Sequence, residues 1–186
     1  MSTKDDNSAA DKRRTGGPGA VRRSVARLAA VQGLYQVELS DAGVEEVVRQ
    51  FLSGRPDWMS HDHPGIAKMD QALFCDIVRG VAADRAKIDT MIEASLSKGR
   101  TVDRLEVLLR LILEAGAWEL ASRGDVPARV IVSEYLGVAD AFFEGDQPGL
   151  VNAVLDKLAR NLRDVEMSAS DKNGPDEPGK RRKGRA

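Results

Sequence analysis

The chain has 186 residues, of which 28 are Lys/Arg, 29 Asp/Glu and one cysteine, with a formal net charge of −1. That length supports one hydrophobic core without disulfides or metal. The lone Cys75 excludes an intrachain disulfide framework, and no apolar run is long enough to cross a bilayer, which together point to a cytoplasmic protein. The near-neutral total hides an asymmetry: residues 1–27 carry seven Lys/Arg against three acids, and residues 179–186 carry five and none, leaving −10 on the body between. Polyanion contact is thereby confined to the arms or to the start of the first helix.

Residues 1–20 are polar and glycine-rich, end in Lys12-Arg13-Arg14-Thr15-Gly16-Gly17-Pro18-Gly19, and read as a disordered arm. No strand precedes these glycines and no Gly-Lys-Ser/Thr follows, so they are not a phosphate loop. A first helix is expected from about Arg22 to Leu39. At about 100° per residue, Val25, Leu28, Val31, Tyr35 and Leu39 share one side, while Arg23 and Arg27 stack a turn apart on a neighbouring flank. That flank reads equally as a solvated face or a binding site. A short amphipathic helix follows from Val44 to about Leu52, then a loop holding His61 and His63. Two histidines and Asp62 do not complete a metal cage, and no metal is expected.

Apolar stripes place a third helix from Lys68 to about Ala83, with Cys75 as a small interior residue, and a fourth through Ile88 and Leu96 after a bend near Asp84. The segment Leu105–Leu120 is apolar almost all round and makes the packing centre. Its charges Glu106, Arg110 and Glu114, spaced by four, are expected to form an exposed ladder, which has no cleft for acid–base work. Asp125 is the expected cap of a helix reaching Phe143, Leu150 to Leu162 form the last stripe, and order is expected to fade after Asp164. The basic Lys180-Arg181-Arg182-Lys183 run closes a disordered tail. Seven stripes without β alternation predict an all-α bundle over residues 21–164, flanked by basic arms at 1–20 and 165–186.

Several blocks in order resemble the NusB family of bacterial transcription antitermination factors: the arginine-rich opening with Ala-Val-Gln-Gly-Leu-Tyr-Gln, then Ala-Gly-Ala-Trp-Glu-Leu, Asp-Val-Pro-Ala-Arg-Val with Ser-Glu-Tyr, and Leu-Val-Asn-Ala-Val-Leu-Asp-Lys-Leu-Ala. They cover about residues 21–162. The resemblance implies two three-helix groups around a long central helix, with no catalysis and no cofactor. It also implies pairing with NusE, a small-subunit ribosomal protein, and binding of boxA RNA in a complex with NusA, NusG and RNA polymerase. The family's arginine-rich motif falls on Arg22, Arg23 and Arg27, with Arg13 and Arg14 as extras on the arm, all as phosphate contacts.

The family's RNA-side residues at the last helix fall on Leu150, where Phe is common, and on Asp146. Leucine gives apolar contact without base stacking, and Asp146 moderates affinity by repulsion. Tyr35 and Leu39 fall on the NusE surface, as does Leu109, which replaces a family acid, while Glu114 replaces an arginine and Ala153 a glycine. Three phosphate contacts on single-stranded RNA predict a log–log salt slope of about −2. The alternative is a helical interaction or dimerisation module, such as a homodimer, that does not touch RNA.

Overall fold

The computed structural model describes residues 17–53, 69–97 and 99–172, the last three by backbone only. Arg13, Arg14, His61, His63 and the basic run at 180–183 lie outside the described residues. Seven α-helices occur among those described: α1 Pro18–Leu39, α2 Val44–Leu52, α3 Gln71–Ser95, α4 Val107–Ser122, α5 Ala128–Phe142, α6 Gln147–Leu162 and α7 Asp164–Lys172. A 3-10 turn, Val102–Arg104, links α3 to α4, and no strand is present among them.

α1, α2 and α3 pack on one another, as do α4, α5 and α6. α4 touches α1, α3, α5 and α6, so it is the shared element of two three-helix groups. Every residue from Leu111 to Leu120 is buried, which explains why that stretch is apolar on all sides. The helices approach closely at two glycines. A β-carbon at Gly80 of α3 would lie 2.1 Å from the Trp118 ring, and one at Gly116 of α4 would lie 2.8 Å from Leu155. Only glycine leaves room for those larger side chains.

The seven helices are not the seven stripes expected. The third and fourth stripes form one helix, because Ala82 to Lys87 contain good helix formers and merely turn outward, with no proline or glycine to break the run. Asp70 caps this helix by accepting from the Leu73 N–H at 3.1 Å, and Lys157 Nζ closes its other end on the Ala94 and Ser95 carbonyls at 3.1 and 3.3 Å. α1 starts at Pro18, earlier than expected, where proline suits a first turn.

α7 was not anticipated. Its Met167 is buried, and Glu166 accepts from the Ala128 N–H at 2.6 Å, capping α5 from 38 residues away. Asp125, the expected cap, is instead held by Arg123 Nε and Nη2 at 2.9 and 3.0 Å. Just before α7, Arg163 donates to the carbonyls of Leu120, Arg123 and Val126, each at 2.7 Å. These carbonyls lie in the last turn of α4 and in the loop that follows it, where the helix itself supplies few donors. Nor is the α4 charge ladder an exposed strip: Glu106 caps the helix through the Leu109 N–H at 3.0 Å, Arg110 is half-buried, and Glu114 has no exposure.

Candidate nucleic-acid and partner interface

The buried face of α1 consists of Ala26, Ala29, Ala30, Val31, Gly33 and Leu34. Small side chains let α1 lie close to its neighbours, so the bulkier Val25 and Leu28 are only partly buried at the edge of the core and Tyr35 and Leu39 are turned towards the surface. Tyr35, expected on the core side, is 38 % exposed and Leu39 61 %. This rotation sorts the arginines as well.

Arg22 and Arg23 are exposed and engage no carboxylate among the described residues. The end of α1 beside them has no side-chain cap and no acid in its first turn, so its positive dipole end is unopposed. Arg27 does not share their flank. Four residues advance a helix about 40° beyond a full turn, which carries Arg27 to the Ala26–Ala30 side, where it is 1 % exposed. Its Nε and Nη2 fork onto Glu119 of α4 at 3.0 and 2.5 Å, and its Nη1 donates to Glu134 of α5 at 3.0 Å. Burial opposes the charge of this guanidinium, but the Glu119 pairing prevails and raises its pKa further. With all three nitrogens on carboxylates, Arg27 offers no fork to a phosphate. It is a strut between α1, α4 and α5. Glu119 is the signal that marks it, a carboxylate between Trp118 and Leu120 in the most apolar helix, which must have a cationic partner.

Further along α1, Gln32, Tyr35, Gln36 and Leu39 line a groove of about 520 Å³ with Leu108 of α4 and Phe142 of α5. Phe142 is 41 % exposed there. Leu109 is not part of it. At 4 % exposure it belongs to the core, and its neighbour Leu108, about 100° round the helix, is the α4 residue at the groove. Phe142, expected on the buried side of its helix, and Leu108 carry no local signal of this role, because which face of α4 and α5 remains uncovered depends on where α1 crosses them.

Asp146 is exposed at the start of α6 and makes no capping bond, and Leu150 is half-buried against the core. The turn holding Asp146 follows Phe142 at the groove. At about 1.5 Å per residue, the level of Tyr35 is about 18 Å along α1 from Arg23. The structure thus places Arg22 and Arg23 at one end of α1 and the groove, Asp146 and Leu150 towards the other. Among the described residues no group of three His, Cys, Asp or Glu can hold a metal ion, and no helix is long and apolar enough to cross a membrane.

The arrangement is an all-helical fold with an arginine-bearing helix start and an apolar groove along one helix. The NusB family model matches residues 24–160. The chain is 46 % identical over 165 residues to the transcription antitermination protein NusB of Rhodopseudomonas palustris, covering 88 % of this chain and 94 % of that protein. It is 47 % identical over 144 residues to the protein of that name from Caulobacter vibrioides, covering 76 % and 95 %. The crystal structure of T. maritima NusB is similar in fold, with a TM-score of 0.62 over 78 % of this chain and 96 % of that one, at 24 % identity. The chain belongs to the NusB family.

Proposed function

We propose that this chain is a transcription antitermination factor that binds boxA RNA together with NusE and so helps to load NusA, NusG and RNA polymerase into a processive complex. The observation that carries the RNA contact is the uncapped start of α1, with no acid in its first turn and with Arg22 and Arg23 exposed beside it. Guanidinium forks and a positive helix end both suit phosphate oxygens, on a body that otherwise bears net negative charge. Asp146 and Leu150 extend the RNA path towards the far end of α1, Leu150 by apolar contact and Asp146 as a repulsive edge. The groove at Tyr35, Leu39, Leu108 and Phe142 takes NusE.

Arg27 acts in this reading only by positioning α1, so two phosphate contacts remain where three were expected. The log–log salt slope contributed by α1 falls accordingly to about −1.4, or roughly a sevenfold loss of affinity between 50 and 200 mM salt. Filter binding of boxA RNA with NusE present is the test. Arg22→Ala with Arg23→Ala should remove most of that slope while leaving NusE capture intact, and Tyr35→Asp should do the reverse. Unchanged RNA affinity and slope in the arginine variant would refute the contact. The same exposed groove supports a second reading, a homodimer built on Tyr35, Leu39 and Phe142. Light scattering decides it: a concentration-dependent dimer abolished by Tyr35→Asp, in a chain that binds neither NusE nor RNA, would replace the first reading.

A further inference from the structure

Beside the α1 wall of the groove lies a second charged cluster, half-buried around a fully buried Glu114 and drawn from three helices. Glu38, one residue from the end of α1, accepts from Arg85 Nη1 of α3 at 2.8 Å and from Arg110 Nη2 of α4. Arg85 also donates through Nε and Nη2 to a single oxygen, Glu114 Oε2 of α4, at 3.2 and 3.1 Å. Glu114 Oε1 lies 3.4 Å from Arg110 Nε, yet both atoms are buried without a hydrogen bond, and so is Asp89 Oδ1 of α3. Asp103 of the 3-10 turn adds a further negative charge facing Asp89.

Glu38, Glu114 and Asp89 thus meet two guanidiniums, and with the exposed Asp103 acting on Asp89 the negative charges outnumber the positive if all are ionised. Glu114, with no exposure, cannot shed its charge to water, whereas a bound proton removes it. Desolvation holds the Glu114 carboxyl up at about 7 and also raises Asp89. Burial presses on Glu38 too, but its hydrogen bond to Arg85 and the charges of Arg85 and Arg110 hold it below the usual range. The proton therefore belongs to Asp89 and Glu114 as a pair.

We propose that Asp89 and Glu114 share one buried proton, and that its release to solvent as pH rises loosens the C-terminal half of α1, the wall that carries Tyr35 and Leu39. While the proton is held, both arginines serve Glu38. Once it leaves, Glu114 is a full carboxylate whose open Oε1 draws Arg110 Nε, and Arg110 slackens its hold on Glu38. The device is built from the fold alone and does not depend on RNA or NusE binding.

Hydrogen exchange of the full chain at about pH 6 and about pH 8.5, corrected for intrinsic rates, reads this loosening directly. Protection of the amides from Tyr35 to Leu39 should fall by about tenfold at the higher pH, with little change in α4. Glu114→Gln should abolish the pH difference, and Asp89→Asn, by removing a like charge, should move its midpoint to lower pH. The infrared band of a protonated carboxyl in the wild type, present at the lower pH and absent at the higher, decides the matter even if neither variant folds. Equal protection at both pH values, an equal pH difference in Glu114→Gln, an unmoved midpoint in Asp89→Asn, or no such band would each overturn the proposal.

Discussion

Two clusters of arginine and carboxylate hold α1 against α4, one buried and one half-buried, and they differ in how the deepest carboxylate is met. Glu119 receives three donors over both oxygens: Arg27 Nη2 on Oε1 at 2.5 Å, and Arg27 Nε and the Tyr135 hydroxyl on Oε2, both at 3.0 Å. No buried atom of that cluster lacks a partner, and its surplus carboxylate, Glu134, keeps a 26 % exposed side chain. Glu114 has the same burial, but both Arg85 donors fall on one oxygen and the other is left bare. The two carboxylates are equally deep, but Arg27 has a 2 % exposed side chain and Arg85 a 36 % exposed one. The geometry of the fork makes the first a lock and the second a site that titrates.

The largest effect is expected of Arg27→Ala. It leaves Glu119 buried without a cation, which typically costs about 3–5 kcal/mol. Urea denaturation should show that loss as a lower midpoint at unchanged slope, whereas a loss below about 1 kcal/mol, the level of an exposed pair, would mean that the Glu119 fork is not a lock.

Glu114→Gln should have a smaller effect with a characteristic pH dependence. The folded Glu114 value of about 7 lies above the ordinary 4.5, so the folded state binds the proton more tightly than the unfolded chain. The stability tied to that proton is complete below about pH 4.5 and is lost as pH rises through about 7. Wild-type stability relative to the variant should therefore decline across that window, by on the order of 1–3 kcal/mol. Denaturation series at several pH values measure it, and a constant difference would leave Glu114 an ordinary ionised partner of Arg85.

The contrast also shows what was legible in the sequence. α4 was legible as the packing centre, since a helix touched on all sides must be apolar on all sides. The buried face of α1 was not. Ala26, Ala29, Ala30 and Gly33 carry little weight in an apolar stripe, yet close packing selects them over Val25, Tyr35 and Leu39. From that one rotation follow the burial of Arg27 and the exposure of the groove. The partners of Arg27 lie 92 and 107 residues away in the chain, beyond any local pattern. α7 was hidden for the same reason, because Glu166 and Met167 are anchored by α5 and the core and not by helical periodicity. Exposure of Arg22 and Arg23 needed only their place in the first turns and the acidic balance of the body.

The smallest effect is expected at Tyr135. Tyr135 is fully buried, and desolvation, with the nearby Glu119 charge, raises its phenol well above the ordinary value, so it stays protonated and donates to Glu119 Oε2. Tyr135→Phe removes that donor with little change in volume. Glu119 keeps both Arg27 nitrogens, so neither of its oxygens is orphaned and the loss should be about 1 kcal/mol. If the fork is the lock, the phenol matters only while Arg27 holds Glu119 in place. A double-mutant cycle of Arg27→Ala and Tyr135→Phe should then be non-additive, because residues in one hydrogen-bond network couple by about 0.5–3 kcal/mol. Strict additivity in urea denaturation would separate the two contacts and leave Glu119 with two independent partners, not one network.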